Sequence, residues 1–210
     1  MAYDLEEQEQ IDQLKAWWAK YGTFVLTVLV IVLGAVAAWR GLQWYQTHQA
    51  TKARGYFEAL EQATRQPGDD SVARVNAAMK TLRDEFSKTD YAARGALLAA
   101  AALMEKKDVA GAKSQLDWLA QSSHPALVPV ARLRIAGLLL DQKDYNGALD
   151  QLKDPPPSFE GMFADRRGDI LLAQGNIAGA KESWKKAMDL LGSASPLVSI
   201  VKLKLESTGG

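Results

Sequence analysis

Hydrophobic and polar positions divide this chain into two regimes. From Tyr21 to Trp39 runs a stretch of 19 uncharged residues between Lys20 and Arg40, and Phe, Val, Ile or Leu fill ten of those positions. At the helical rise of about 1.5 Å per residue, such a stretch spans close to the roughly 30 Å of a bilayer's hydrocarbon core. Trp17, Trp18 and Tyr21 flank one end, and Trp39, Trp44 and Tyr45 the other. Indole and phenol rings, apolar in body and wet at the edge, gather at such interfaces. The pattern predicts one membrane-spanning helix over 21–41. Beyond it, apolar residues recur at helical spacing with no sustained two-residue alternation, so the rest reads as all-α.

Two rivals account for the apolar run less well. A core helix of a soluble domain carries a polar residue every turn or two, whereas only Thr23 and Thr27 are hydroxylated here. A cleavable signal peptide has the Ala-x-Ala pattern that Ala35 and Ala37 supply, but it opens on a basic segment. Residues 1–20 instead hold five acids (Asp4, Glu6, Glu7, Glu9, Asp12) against Lys15 and Lys20, net −3. Lys and Arg near the two ends are too evenly matched to orient the helix: Lys15 and Lys20 face Arg40, Lys52 and Arg54. The greater length after the helix favours export of the C-terminal part.

That part contains an internal repeat. Lys106-Lys107-Asp108-Val109-Ala110-Gly111-Ala112, Gln142-Lys143-Asp144-Tyr145-Asn146-Gly147-Ala148 and Gln174-Gly175-Asn176-Ile177-Ala178-Gly179-Ala180 align, with successive Gly-Ala pairs 36 and 32 residues apart. Those spacings bracket the roughly 34-residue period of tetratricopeptide repeats, in which two antiparallel helices cross closely at small residues. Ala112, Ala148 and Ala180 then occupy the small position of each second helix. Ala100, Ala136 and Gly168 occupy that of each first helix, and Leu103, Leu139 and Leu171 follow three places later. Leu116, Leu152 and Trp184 fill the groove between helices.

The edges of the repeat are less regular. Pro155, Pro156 and Pro157 stop the second helix of the middle repeat near Lys153, because proline lacks the N–H and has a fixed φ. Upstream, Ala50 to Gln66 and Ser71 to Lys88 read as a further helix pair split by Pro67-Gly68-Asp69-Asp70, with Ser71 as N-cap. Downstream, Ser195 and Pro196 open a capping helix with Leu197, Ile200, Val201 and Leu203 on its apolar side. The predicted organisation is a short acidic tail over 1–20, the membrane helix over 21–41, a connecting helix over 42–66, and a tetratricopeptide-like repeat solenoid with its cap over 67–210.

Composition narrows the chemistry. Acids and bases are equal at 25 each, and 23 bases against 20 acids over 21–210 make no nucleic-acid patch. With no cysteine there is neither a thiolate metal site nor a cysteine nucleophile. His48 and His124 are far apart and read as ordinary surface or interface histidines. No phosphate loop, HExxH helix or nucleophile elbow occurs. Asp165 and Asp169 are four apart, but Arg166 and Arg167 between them favour a solvated charged face over acid–base chemistry. Arg167-Gly168-Asp169 spells an integrin tripeptide by chance, because Gly168 is already used for packing. No enzyme, no cofactor and no metal is expected.

Binding is better supported. Stacked pairs curve so that their first helices line a concave face suited to peptides. The register places Arg94, Leu97, Ala101, Leu133, Gly137, Asp165 and Asp169 on that face. Within the membrane helix, Gly34, Ala38 and Gly41 form a smooth stripe where another helix can approach. Ile11, Leu14, Trp17 and Trp18 are spaced like one helical face of the acidic tail, suited to the interface or to a cytosolic partner.

Three stretches carry a resemblance: Glu6-Glu7-Gln8-Glu9-Gln10-Ile11-Asp12-Gln13-Leu14-Lys15; Ala38-Trp39-Arg40 with Trp44 and His48-Gln49; and Ala164-Asp165-Arg166-Arg167-Gly168-Asp169 through Gly179-Ala180-Lys181-Glu182-Ser183-Trp184. Over essentially its full length the chain resembles the YfgM-like family, ancillary subunits of the bacterial SecYEG translocon. The resemblance implies a bacterial inner-membrane protein with its N-terminus in the cytoplasm and its repeat domain in the periplasm. It also implies association with the translocon and with a membrane-anchored periplasmic chaperone of the peptidyl-prolyl-isomerase type.

The expected function is therefore a membrane-anchored adaptor linking the secretion channel to chaperones and emerging polypeptides, in contact with the lipid bilayer and with no nucleic acid. A weak homo-oligomer stays open. An envelope-assembly or cell-division scaffold is the alternative, and an enzyme with an unrecognised site the remote one.

Overall fold

The computed structural model describes residues 2–66, 68 and 70–209, and side chains from residue 7 onward. Pro67 and Asp69 of the expected break, and the side chains of Asp4 and Glu6, lie outside the described residues. Among the described residues there are α-helices and one 3₁₀ turn but no strand, as the helical periodicity predicts. The chain divides into two units, Met1–Gln49 and Ala50–Gly210.

The first unit is helical from Ala2, within helix α1 (Ala2–Arg65). Its most apolar 18-residue window has a mean hydropathy of 2.3 and is only 6% buried, the reverse of a soluble core helix. Phe24, Val30 and Ile31 are about two-thirds exposed (70, 67 and 65%). Water does not tolerate so large an apolar surface, and hydrocarbon does. Thr27, one of the two threonines of the apolar run, donates its Oγ1 hydrogen to the Thr23 carbonyl at 2.8 Å. Its polarity is thereby satisfied inside the helix, as a lipid-facing position requires. At the flanks, Trp17 lies 5.7 Å from Tyr21 and Trp44 stacks on His48 at 5.4 Å, so the aromatic belts are pre-arranged one turn at a time.

The second unit begins with α1 residues 50–65 and continues through α2 (Ser71–Phe86), α3 (Asp90–Glu105), α4 (Val109–Ala120), α5 (Val128–Asp141), α6 (Tyr145–Asp150), a 3₁₀ turn (Pro157–Phe159), α7 (Glu160–Ala173), α8 (Ile177–Leu191) and α9 (Leu197–Ser207). Pairs α3/α4, α5/α6 and α7/α8 are the three repeats. Ala100, Ala136 and Gly168 on the first helices are buried, as are Ala112, Ala148 and Ala180 on the second. Leu116, Leu152 and Trp184 are buried between them. Leu60 of α1 joins Met79 and Leu82 of α2 around Gly95 of α3, so one apolar core extends from α1 residues 50–65 to α7. A smaller core gathers Ala164, Ala180, Trp184, Ala187 and Val201.

The repeated glycine has a role separate from the alanine beside it. Each first helix ends in a Schellman-type turn: Asp108, Asp144 and Asn176 donate their N–H groups to the Leu103, Leu139 and Leu171 carbonyls at 2.8, 2.9 and 2.9 Å. Lys107, Lys143 and Gly175 hold the left-handed position with φ 64, 60 and 82°. The same Asp108, Asp144 and Asn176 then cap the next helix, accepting from the N–H of Gly111, Gly147 and Gly179 at 2.9, 3.0 and 2.9 Å. A Cβ on Gly111 would come within 2.2 Å of Asp108 Oδ2, and one on Gly147 within 2.3 Å of Asp144 Oδ2. Alanine permits the helix crossing; glycine leaves room for the cap.

Three local expectations are corrected. Ser71 is the first residue inside α2 rather than its cap; Asp70 holds the cap position with no side-chain cap hydrogen bond, and the Ser71 N–H donates to the Gly68 carbonyl at 3.0 Å. Helix α6 stops at Asp150, earlier than Lys153, and passes into a turn that still buries Leu152. The carbonyls freed there are bonded by arginines from both flanking first helices: Arg132 Nε donates to Gln151 O at 2.9 Å, Arg132 Nη2 to Lys153 O, and Arg167 Nη2 to Leu152 O at 3.1 Å. In α9, Val201 is buried while Ile200 and Leu203 are exposed, because only the Val201 edge meets α7 and α8.

Candidate binding groove

First helices α3, α5 and α7 present successive exposed faces because each buries its alanine or glycine stripe against the second helices. Between them lies an open groove of about 320 Å³. Ala101, Leu133 and Gly137 line it, together with Met104, Leu138, Arg134, Asp141 and Arg166. Leu97 is reached through its backbone, whose carbonyl accepts from Arg134 Nη1 at 3.2 Å. Arg94 is exposed on α3 one turn before Leu97 and outside the groove's lining.

Asp165 and Asp169 occupy a different environment. Lys204 of α9 donates to Asp165 Oδ1 at 2.7 Å and lies 2.7 Å from Asp169 Oδ1. Trp184 Nε1 donates to Asp169 at 3.3 Å, and Arg166 Nη1 stands 3.6 Å from its other oxygen. Burial pushes the Asp165 carboxyl above the ordinary aspartate range, the Lys204 hydrogen bond pulls it down, and the neighbouring Asp169 charge pushes it up again. These carboxylates face the capping helix rather than a solvated surface.

His124 is buried in the α4–α5 connection, with Nε2 2.8 Å from the Ser87 carbonyl and Nδ1 3.7 Å from Asp90. A carbonyl only accepts, so Nε2 carries the hydrogen. This histidine ties two connections together. Among the described residues no three His, Asp or Glu side chains converge as a metal site requires. Gly34 and Gly41 of the first unit have nothing within 4 Å of an added Cβ, and Ala38 between them is exposed.

Met104, Leu138, Asp141, Arg134 and Arg166 are groove residues that periodicity alone did not single out, and the two arginines matter most for its charge. Arg134 and Arg166 each lie one place after an expected groove position, Leu133 and Asp165, and a first-helix face about 100° wide takes in that neighbour as well.

Fold and groove together define a class: a stack of tetratricopeptide-like helix pairs preceded in sequence, among the described residues, by one candidate membrane-spanning helix. The family description "Tetratricopeptide repeat-like domain" matches residues 15–210. The ancillary SecYEG translocon subunit of Haemophilus influenzae is 30% identical over 210 residues, covering 99% of this chain and all of that protein. The one from Aggregatibacter actinomycetemcomitans is 30% identical over 208 residues, and the Escherichia coli one 27% identical over 181 residues, covering 85% of each chain. The chain belongs to this family of tetratricopeptide repeat-like ancillary SecYEG translocon subunits.

Proposed function

We propose that this chain is a non-enzymatic adaptor held beside the SecYEG translocon by its membrane helix, with residues 1–20 in the cytoplasm and the repeat domain in the periplasm. There it links the channel to a membrane-anchored chaperone of the peptidyl-prolyl-isomerase type and to polypeptides leaving the channel. The observation that carries this reading is the full-length similarity to translocon subunits, membrane helix and repeats together. Gly34, Ala38 and Gly41 give the membrane helix a smooth face against a translocon helix, and the first-helix face carrying Arg94, Leu97, Ala101, Leu133 and Gly137 receives protein segments. Asp165 and Asp169 hold the capping helix at the end of that face.

Tethering raises the local concentration of the second binding event without adding a contact, which suits clients that are exposed only briefly. Purification of the full chain from membranes should bring the translocon with it, and removal of residues 1–45 should abolish that association. Retention of the translocon by the shortened chain would overturn the reading, and a partner set free of secretion components would point to an envelope-assembly scaffold.

A further inference from the structure

The groove between α3, α5 and α7 is built for one kind of segment. Its floor is low where Ala101 and Gly137 stand, and a Cβ on Gly137 would meet only the Arg166 guanidinium, at 3.9 Å. A polypeptide backbone can therefore come down onto α5. Met104, Leu133 and Leu138 give it apolar walls. Two guanidiniums rise from neighbouring first helices with donors left over. Arg134 is exposed and gives Nη1 to the Leu97 carbonyl; Arg166 stands 3.6 Å from Asp169, beyond hydrogen-bond reach. A guanidinium carries five N–H donors, so each retains most of its capacity for a carboxylate.

Charge within the groove is polarised. Asp141 lies two turns along α5 from Arg134, about 10 Å, which is about three residues of extended chain. An acidic side chain is favoured at the Arg134–Arg166 end and repelled at the Asp141 end. Lys204 offsets one of the two charges of Asp165 and Asp169 and Arg166 pairs with Asp169, so the net positive charge at this end is that of Arg134, with Arg166 contributing its remaining N–H donors.

We infer that the groove binds an extended polypeptide segment in which an acidic side chain, placed between Arg134 and Arg166, lies next to a large apolar one. This deepens the adaptor reading and rests on it, since it names the client chemistry that the repeat domain recognises. The probes are two fluorescein-labelled peptides of Gly and Ser, one carrying Leu-Gly-Glu and the other Leu-Gly-Gln, titrated with the full chain in detergent micelles and read by anisotropy. The Glu peptide should bind at least about tenfold tighter. The pair Arg134→Gln and Arg166→Gln should erase that difference, and Gly137→Leu, whose Cβ meets only the Arg166 guanidinium in ordinary contact at 3.9 Å, should weaken both peptides by raising the floor. Equal binding of the two peptides by the unaltered chain overturns the inference, as does absence of binding to either, or binding unchanged by Gly137→Leu. If the translocon still co-purifies while the peptides fail to discriminate, the groove assignment falls alone; if the translocon is lost, the adaptor reading falls.

Discussion

A Cβ placed on Gly168 would lie 2.4 Å from Nε1 and 2.5 Å from Cδ1 of Trp184. The first helix of the third repeat therefore rests directly on the indole of the second, and that indole is fully buried. In the other two repeats the corresponding positions are Ala100 with Leu116 and Ala136 with Leu152, all buried, so the small residue shrinks to glycine where its counterpart grows to tryptophan.

Gly168→Ala should destabilise the domain. Alanine gains helix propensity, but the ring has no room to retreat, and overpacking of this kind costs about 1–3 kcal/mol. Chemical denaturation followed by circular dichroism checks the sign. Adding Trp184→Leu, which restores the pairing used in the other repeats, should make the alanine neutral or stabilising.

The caps make a second, sharper prediction, because Asp108 and Gly111 are coupled. Asp108→Ala should cost about 1 kcal/mol through loss of the cap. Gly111→Ala should also destabilise, against the usual gain of helical alanine over glycine, since its Cβ meets the Asp108 carboxylate. In the Asp108→Ala background the same Gly111→Ala change should stabilise. A double-mutant cycle measures this reversal, and additive effects would show that cap and glycine are independent.

Lys143 holds a left-handed conformation, φ 60°, at the position that Gly175 occupies in the third repeat. A side chain there costs about 1 kcal/mol or more, so Lys143→Gly should raise stability, offset in part by the greater freedom of glycine in the unfolded chain. A lowered denaturation midpoint would contradict the turn geometry.

Asp165 ties stability to pH. Its folded pKa is raised, chiefly by burial, so folding favours the protonated carboxyl. The stabilising contribution is fully present below the unfolded aspartate pKa and is lost as pH rises through the folded value. Asp165→Asn cannot ionise. Its stability relative to the unaltered chain should improve as pH rises through the carboxylate range, and the opposite trend would mean that the Lys204 contact outweighs burial.

How far the sequence led depends on the range of each interaction. Ala100, Ala136, Gly168 and their partner alanines were legible because close crossing demands small residues and the repeat displays that demand three times. Membrane character was legible in the uncharged run alone. The early end of α6 was half legible: the prolines announced a stop, but Arg132 and Arg167, which let the chain stop sooner by bonding its free carbonyls, act from 19 and 15 residues away. Lys204 meets Asp165 across 39 residues, and no local spacing signals that contact. The exposure of Ile200 and Leu203 follows from which edge of α9 docks, a choice that its own periodicity does not contain.

The central claim is that the apolar helix holds a protein-binding repeat domain on the outer side of the inner membrane. The most direct test is the activity of a reporter enzyme fused after Gly210, chosen to work only beyond that membrane. An active fusion that fractionates with membranes is the expected result. An inactive one, or one recovered in the soluble fraction without detergent, would contradict it.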